Sequence, residues 1–311
     1  MNEDNRAGKP VSKTDSPSGA EAARVKARRS SPPSLLASAL EKAQALFEEA
    51  SRCFPDGAVP PFDPKRYAEM LGIPVASSSR MPNWDALLIP GAEGFRILYN
   101  STVRSEGRKR FSIAHEIAHT LFPDAAAAVR RRAKREDYET AEEIELERWC
   151  DKVAAELLMP EPVFQQSIDE FGAEASAIPA LAERFEVSLS ASAVRFVEMS
   201  EEPCAVAVFE WMHRPKLEKM PIAARRQVRE RRRYRVREIY QSQNFPRMFA
   251  VGKSVPDDSV VYRASLGRGE CAAEERYEGR REDRVLRASA FPMHRGAMID
   301  EPPRVCAIFR V

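Results

Sequence analysis

No stretch of this chain approaches the roughly 18 consecutive apolar residues that a membrane-spanning helix needs. The amino-terminal region holds no hydrophobic block of the kind that directs secretion. Cysteine is sparse: Cys53, Cys150, Cys204, Cys271 and Cys306 are scattered, odd in number and nowhere spaced as C-x-x-C. That pattern excludes a disulfide framework and a cysteine-based zinc knuckle, and reads as the reduced thiols of a cytoplasmic protein. Neither sign of charge dominates, since 49 Lys and Arg against 47 Asp and Glu leave a formal net charge of +2. Whole-molecule attraction to nucleic acid is therefore weak, although local basic patches exist. No repeat recurs at a fixed period. Histidine is scarce as well, with four in 311 residues, so two of them standing four apart carry weight.

What is present falls into four stretches. Residues 1–33 are rich in Ser, Pro, Ala, Lys and Arg with almost no large apolar side chains, which predicts a disordered tail. From Ser34 to Glu49, Leu35, Leu36, Leu40, Leu46 and Phe47 recur at helical spacing. Asp63-Pro64 then starts a short helix that Gly72 closes. Two short strands are expected at Ala86–Ile89 and Phe95–Tyr99, with Pro90-Gly91 turning between them. Helices are expected from Ser105 to Phe122, stopped by Pro123, and from Thr140 to Met159, closed by Pro160. Two or three shorter helices fill 161–199. Beyond residue 200 the runs Cys204–Trp211, Ser259–Ala264, Val285–Ala290 and Arg304–Val311 read as β-structure. The fold class expected is α+β: a mixed helix-and-strand core over 34–160, a helical segment over 161–200 and a β-rich unit over 201–311.

The chemistry lies in His115-Glu116-Ile117-Ala118-His119. Four residues are just over one helical turn, so both imidazoles leave one face and can grip one ion. Glu116 points about 100° around the axis, beside such an ion without having to bind it. Zinc acidifies a water, and a carboxylate so placed takes its proton during attack on a carbonyl. No third histidine follows at short spacing, so a carboxylate is the natural third ligand. Along the Thr140–Met159 helix, Glu147 and Asp151 fall on the apolar stripe of Ile144, Ala154 and Leu158. Two acids on a core-facing stripe need partners. A metal answers for Glu147, and a histidine N–H answers for Asp151. The same donor set accepts manganese or iron.

Arg110-Phe111-Ser112-Ile113-Ala114-His115-Glu116-Ile117-Ala118-His119 resembles the R-F-x-x-A-H-E-x-x-H signature of the ImmA/IrrE metallopeptidases. Glu147 to Pro160 resembles that family's second block, E-x-x-A-N-x-F-A-x-x-L-L-M-P, with Cys150, Asp151 and Val153 in place of the alanine, asparagine and phenylalanine. The resemblance covers roughly 60–200. It implies a zincin-like core, a zinc-dependent endopeptidase and a protein substrate such as a transcriptional repressor. It also implies that an extended substrate adds to strand Phe95–Asn100 as an edge.

Leu181-Ala182-Glu183-Arg184-Phe185-Glu186-Val187-Ser188, followed by Ala193 and Arg195, resembles the start of a helix-turn-helix. Leu189–Met199, however, is poor in the side chains that read base edges, and packing is the favoured role. The arginine-rich run 225–237 reads as a solvated helix or loop, with contact to DNA phosphates or to an acidic partner as its alternative; Arg130-Arg131-Arg132 reads similarly. His213, His294 and Tyr138 receive no role. The alternatives to a peptidase are a DNA-associated regulator whose metal is structural or conditional, and the binding half of a toxin–antitoxin pair.

Overall fold

Capping residues and prolines set most helix starts in the computed structural model, which describes residues 32–54, 58–81, 83–92, 94–123, 140–221, 231–267, 269–279, 282–293 and 302–311. The expected tail up to residue 31, Arg130-Arg131-Arg132, Tyr138, residues 225–230 and His294 lie outside them. The described chain mixes helix and sheet in an α+β arrangement. Helix α1 spans Pro32–Cys53 and α2 Pro64–Met70, the latter capped by the Asp63 carboxylate, which accepts from Lys65 N. Strands β1 (Val75–Ser78), β2 (Ala86–Gly91) and β3 (Gly94–Asn100) follow, then α3 (Glu106–Leu121) and α4 (Ala141–Leu158). Three shorter helices come next: α5 (Glu161–Phe171), α6 (Ala177–Arg184) and α7 (Leu189–Met199). The remainder is β4 (Cys204–Met212), the short α8 (Pro215–Glu218), β5 (Arg233–Gln241), α9 (Val260–Leu266), β6 (Cys271–Tyr277), β7 (Arg284–Met293) and β8 (Arg304–Arg310).

The first sheet has the order β1-β3-β2. Strand β3 pairs in parallel with β1, Val75 opposite Ile97, and antiparallel with β2, Ala86 opposite Tyr99. The expectation that Phe95–Asn100 is an edge is therefore corrected. Both of its ladders are occupied, because the unforeseen Val75–Ser78 strand fills one side. Pro90 and Gly91 do not turn the hairpin either; they continue the ladder opposite Phe95 and Gly94. Gly94 has φ +125°, backbone that a side chain rarely adopts.

The second sheet is antiparallel throughout, in the order β5-β4-β8-β7-β6. Its central strands alternate between two cores, as the two-residue period of a strand requires. Cys204, Val206, Cys306 and Ile308 join the core built by α1 to α7, while Ala205, Ala207, Phe209, Val305, Ala307 and Phe309 pack on the opposite face. Burial on both faces explains why Cys204–Phe209 is a continuous run of small and apolar residues.

Two segments correct the sequence reading. Ser259–Ala264 is a helix start: Val260, Val261 and Ala264 are buried at helical spacing, and Ser259 sits at the cap position. A short apolar run does not distinguish the two periods. Arg233–Arg237 is part of strand β5 and not a solvated helix or loop. Tyr234, Arg235 and Val236 are buried there, and the Arg235 guanidinium donates to Gly252 O at 3.1 Å.

The helix-turn-helix-like segment is tied inward. Ser192, Ala193, Arg195, Phe196 and Val197 of α7 are buried. The Arg195 guanidinium forms an ion pair with Glu156 of α4 and donates from Nε to Met159 O at 3.2 Å. The second Glu156 oxygen accepts from Glu161 N at 3.0 Å, at the first turn of α5. The turn before α7 presses on α3, since a Cβ at Gly107 would lie 2.9 Å from Glu186 O. Arg110 donates to Phe62 O at 2.5 Å and pairs with Glu186 at 3.2 Å.

Removing one member of a buried pair strands the other charge and costs about 3–5 kcal/mol. Arg195→Met is expected to destabilise by that order in denaturant unfolding. Arg195→Met combined with Glu156→Gln is expected to recover part of the loss. Equal stability of the single and double variants would show that the pair does not hold α7 to α4.

Candidate metal centre

The site is built on two helices whose starts are fixed by their caps. Ser105 Oγ accepts from Arg108 N at the head of α3. Thr140 and Glu143 form a reciprocal capping box at the head of α4, each side chain accepting from the other's backbone N–H. Ile113, Ala114, Ile117, Ala118 and Leu121 bury one face of α3, and Cys150, Val153, Ala154, Leu157 and Leu158 bury the facing stripe of α4. Lys42 of α1 donates to Leu121 O at 2.7 Å, placing an ammonium where the carbonyls of α3 end. Trp149 stacks on Phe122 just beyond that end, with ring centroids 6.1 Å apart. Ile144, assigned to the buried stripe from sequence, is 39% exposed, because the seam with α3 begins a turn later.

Across the seam the polar groups converge. His115 Nε2 lies 3.0 Å from Glu147 Oε2 and 3.1 Å from His119 Nε2, and His119 Nε2 lies 3.6 Å from Glu147 Oε1. One donor atom from each of the three residues lies within 4.8 Å of the others. Four ligands at the usual zinc distances on a tetrahedron stand ~3.3 Å apart. The observed spacings bracket that value, so the residues present fit a small divalent ion held by two imidazoles and a carboxylate.

The other ring nitrogens are held as well. His115 Nδ1 lies 2.9 Å from Asp151 Oδ1, at the exposed rim of the seam. His119 Nδ1 lies 3.2 Å from Cys150 Sγ, in its buried interior. Burial opposes protonation of His115. The hydrogen bonds to Asp151 and Glu147, with the charges of Glu116 and Glu147, outweigh it and raise the pKa to about 9. Glu116 itself is buried at 8% exposure, and its charge reaches His115.

Of the residues singled out in the sequence, His115, His119, Glu147 and Asp151 are brought into contact, and Glu116 adjoins His115 in α3 with its charge felt at that ring. The sequence reading passed over Cys150, although its signal was available: it stands three residues after Glu147, on the same helix face. His213 follows β4 in the second sheet and is not one of the three residues whose donor atoms converge here.

Residues 69–197 match the family described as Peptidase_M78, IrrE N-terminal-like domain. This region belongs to the ImmA/IrrE family. The ImmA/IrrE region contains every residue of the cluster. Similar curated proteins include the radiation response metalloprotease IrrE of Deinococcus radiodurans, 35% identical over 141 residues, 45% of this chain and 42% of that protein. The protein of the same name from Deinococcus deserti is 33% identical over 112 residues, 36% and 39% of the two chains. The chain thus matches less than half the length of these curated relatives. A solved structure described as a Mycobacterium tuberculosis transcriptional regulator overlays 87% of this chain and 75% of its own at 15% identity, with a TM-score of 0.48. That likeness is too low to carry an argument.

His119→Ala is expected to reduce bound divalent metal from about one per chain to near none, read by elemental analysis after dialysis. Asp151→Asn is expected to keep full occupancy at excess metal while weakening affinity about 10-fold, measured by chelator competition. Unchanged affinity in Asp151→Asn would remove that residue from the site.

Proposed function

We propose that the chain is a zinc-dependent endopeptidase that hydrolyses a peptide bond in a protein substrate, with a transcriptional repressor or similar regulator as the substrate class. The observation that carries this reading is the convergence of His115, His119 and Glu147 on one point, with Glu116 one residue along the same helix turn. The family match over residues 69–197 supports it. In this reading His115, His119 and Glu147 hold the metal within a zincin-like core, and Asp151 orients His115 through Nδ1. Glu116 is the general base. When bound, the ion would polarise the scissile carbonyl and lower the pKa of water.

The residues do the rest. Glu116, largely buried beside His115, takes a proton from the attacking water and delivers it to the leaving amine. An extended substrate adds to an open sheet edge, which in this sheet belongs to β1 or β2. Strand β2 is the favoured edge, because Arg108 of α3 bonds Asp85 at its start at 2.5 Å and ties it to the metal helix. The inward packing of Ser192, Ala193, Arg195, Phe196 and Val197 favours a structural role for the helix-turn-helix-like segment over DNA binding. Among the described residues no helix is long and apolar enough to cross a membrane, and the cytoplasm remains the proposed address.

Glu116→Gln is expected to retain zinc while lowering the cleavage rate about 10²–10⁴-fold. The assay pairs metal analysis with gel-based cleavage of candidate repressor proteins, using one that the wild-type chain cuts. Wild-type cleavage by Glu116→Gln would rule out its role as base.

A further inference from the structure

The two metal-facing histidines are supported unequally. Helix α4 presents Glu147, Cys150 and Asp151 on one face, as positions i, i+3 and i+4. Glu147 stands between the rings, Asp151 meets His115 Nδ1, and Cys150 meets His119 Nδ1. A neutral imidazole carries one N–H and one lone pair. His119 Nε2 faces His115 and Glu147, so a lone pair offered there to an ion leaves the proton on Nδ1. That N–H is deeply buried: His119 is 2% exposed and Cys150 0%. A buried N–H needs an acceptor, and the Cys150 sulfur stands 3.2 Å away.

We propose that Cys150 is a positioning residue for the metal site, its sulfur accepting the His119 Nδ1–H and so fixing the tautomer and ring angle that turn Nε2 toward the ion. The inference rests on the metal-binding reading above. Sulfur suits this place for an electrostatic reason. Glu116, Glu147 and Asp151 already bring three carboxylates to the site, and a fourth in the fully enclosed position of Cys150 would carry a heavy desolvation cost. A thiol accepts weakly but adds no charge. The exposed rim can hold a carboxylate, and there Asp151 serves His115. The pair of supports therefore follows the solvent gradient across the seam. His115 is strongly polarised by a carboxylate, and His119 is oriented by a soft neutral atom.

The test uses the full chain with Cys150→Ala and Cys150→Ser, each titrated with zinc against a chromophoric chelator and melted in the metal-free state. Alanine stands at this position in the signature that the second block resembles. Cys150→Ala is expected to weaken zinc affinity about 10-fold. Cys150→Ser is expected to recover part of that loss, because a hydroxyl also accepts, though its shorter bond to Cβ leaves a wider gap. Both variants lose similar packing volume, so their metal-free melting temperatures should fall together while their zinc affinities separate. Should Cys150→Ala not fold, Cys150→Val, which fills the space without an acceptor, takes its place. Equal zinc affinity in wild type and variants, or losses that merely follow melting temperature, would overturn the proposal and leave the metal site standing. A wild-type chain that takes up no zinc would overturn both.

Discussion

Two helices in this protein press polar side chains against each other in the middle of an apolar seam, and the rest of the described structure serves that contact. A carboxylate or imidazole taken out of water costs more than most packing contacts return unless each donor meets an acceptor. The α3–α4 seam satisfies this with His115, His119, Glu147, Cys150 and Asp151, every one of which contacts another member of the set. Chemistry and packing are therefore the same arrangement seen twice. The groups that would hold an ion are those that make the burial tolerable.

Helix α4 carries a second buried acid on its far side. Glu156 lies nine positions beyond Glu147, half a turn around the axis, and it is matched by Arg195 and by the first amide of α5. One helix thus faces α3 with one charged face and α7 with the other. The helix-turn-helix-like segment becomes intelligible as the element that supplies the guanidinium. Its turn also contacts α3 through Gly107 and Glu186, where only a residue without Cβ fits.

The second sheet is fastened to this helical body by more than shared apolar strands. Ser289 Oγ accepts from Ala175 N at 2.9 Å, and the Glu270 carboxylate accepts from both Ser176 N and Ser176 Oγ. Arg310 donates to Ala173 O. On the other flank, Ser190 of α7 and Arg304 of β8 both donate to Glu238 of β5, whose carboxyl pKa is lowered: burial raises it, but these bonds and that of Tyr240 prevail. The loop between α5 and α6 and the start of α7 are therefore each clamped by sheet residues more than forty positions away in sequence.

Sequence alone determined whatever depends on neighbours within one turn or one strand. The histidine pair, the caps at Asp63, Ser105 and Thr140, the proline stops and the acidic positions on α4 all follow from local spacing. The strands that lie in apolar alternation were legible for the same reason. Contacts between distant segments were decided only in three dimensions. Val75–Ser78 has too little pattern to announce itself, yet it makes Phe95–Asn100 a central strand. Arg235 reads as solvated charge until a backbone carbonyl at Gly252 receives it. The short run after Ser259 suits either period until packing selects the helix. Cys150 looks like a mild substitution until His119 is found opposite. A residue's spacing fixes the face it occupies, whereas its partner, and hence its chemical role, is fixed by which distant face the fold brings against it.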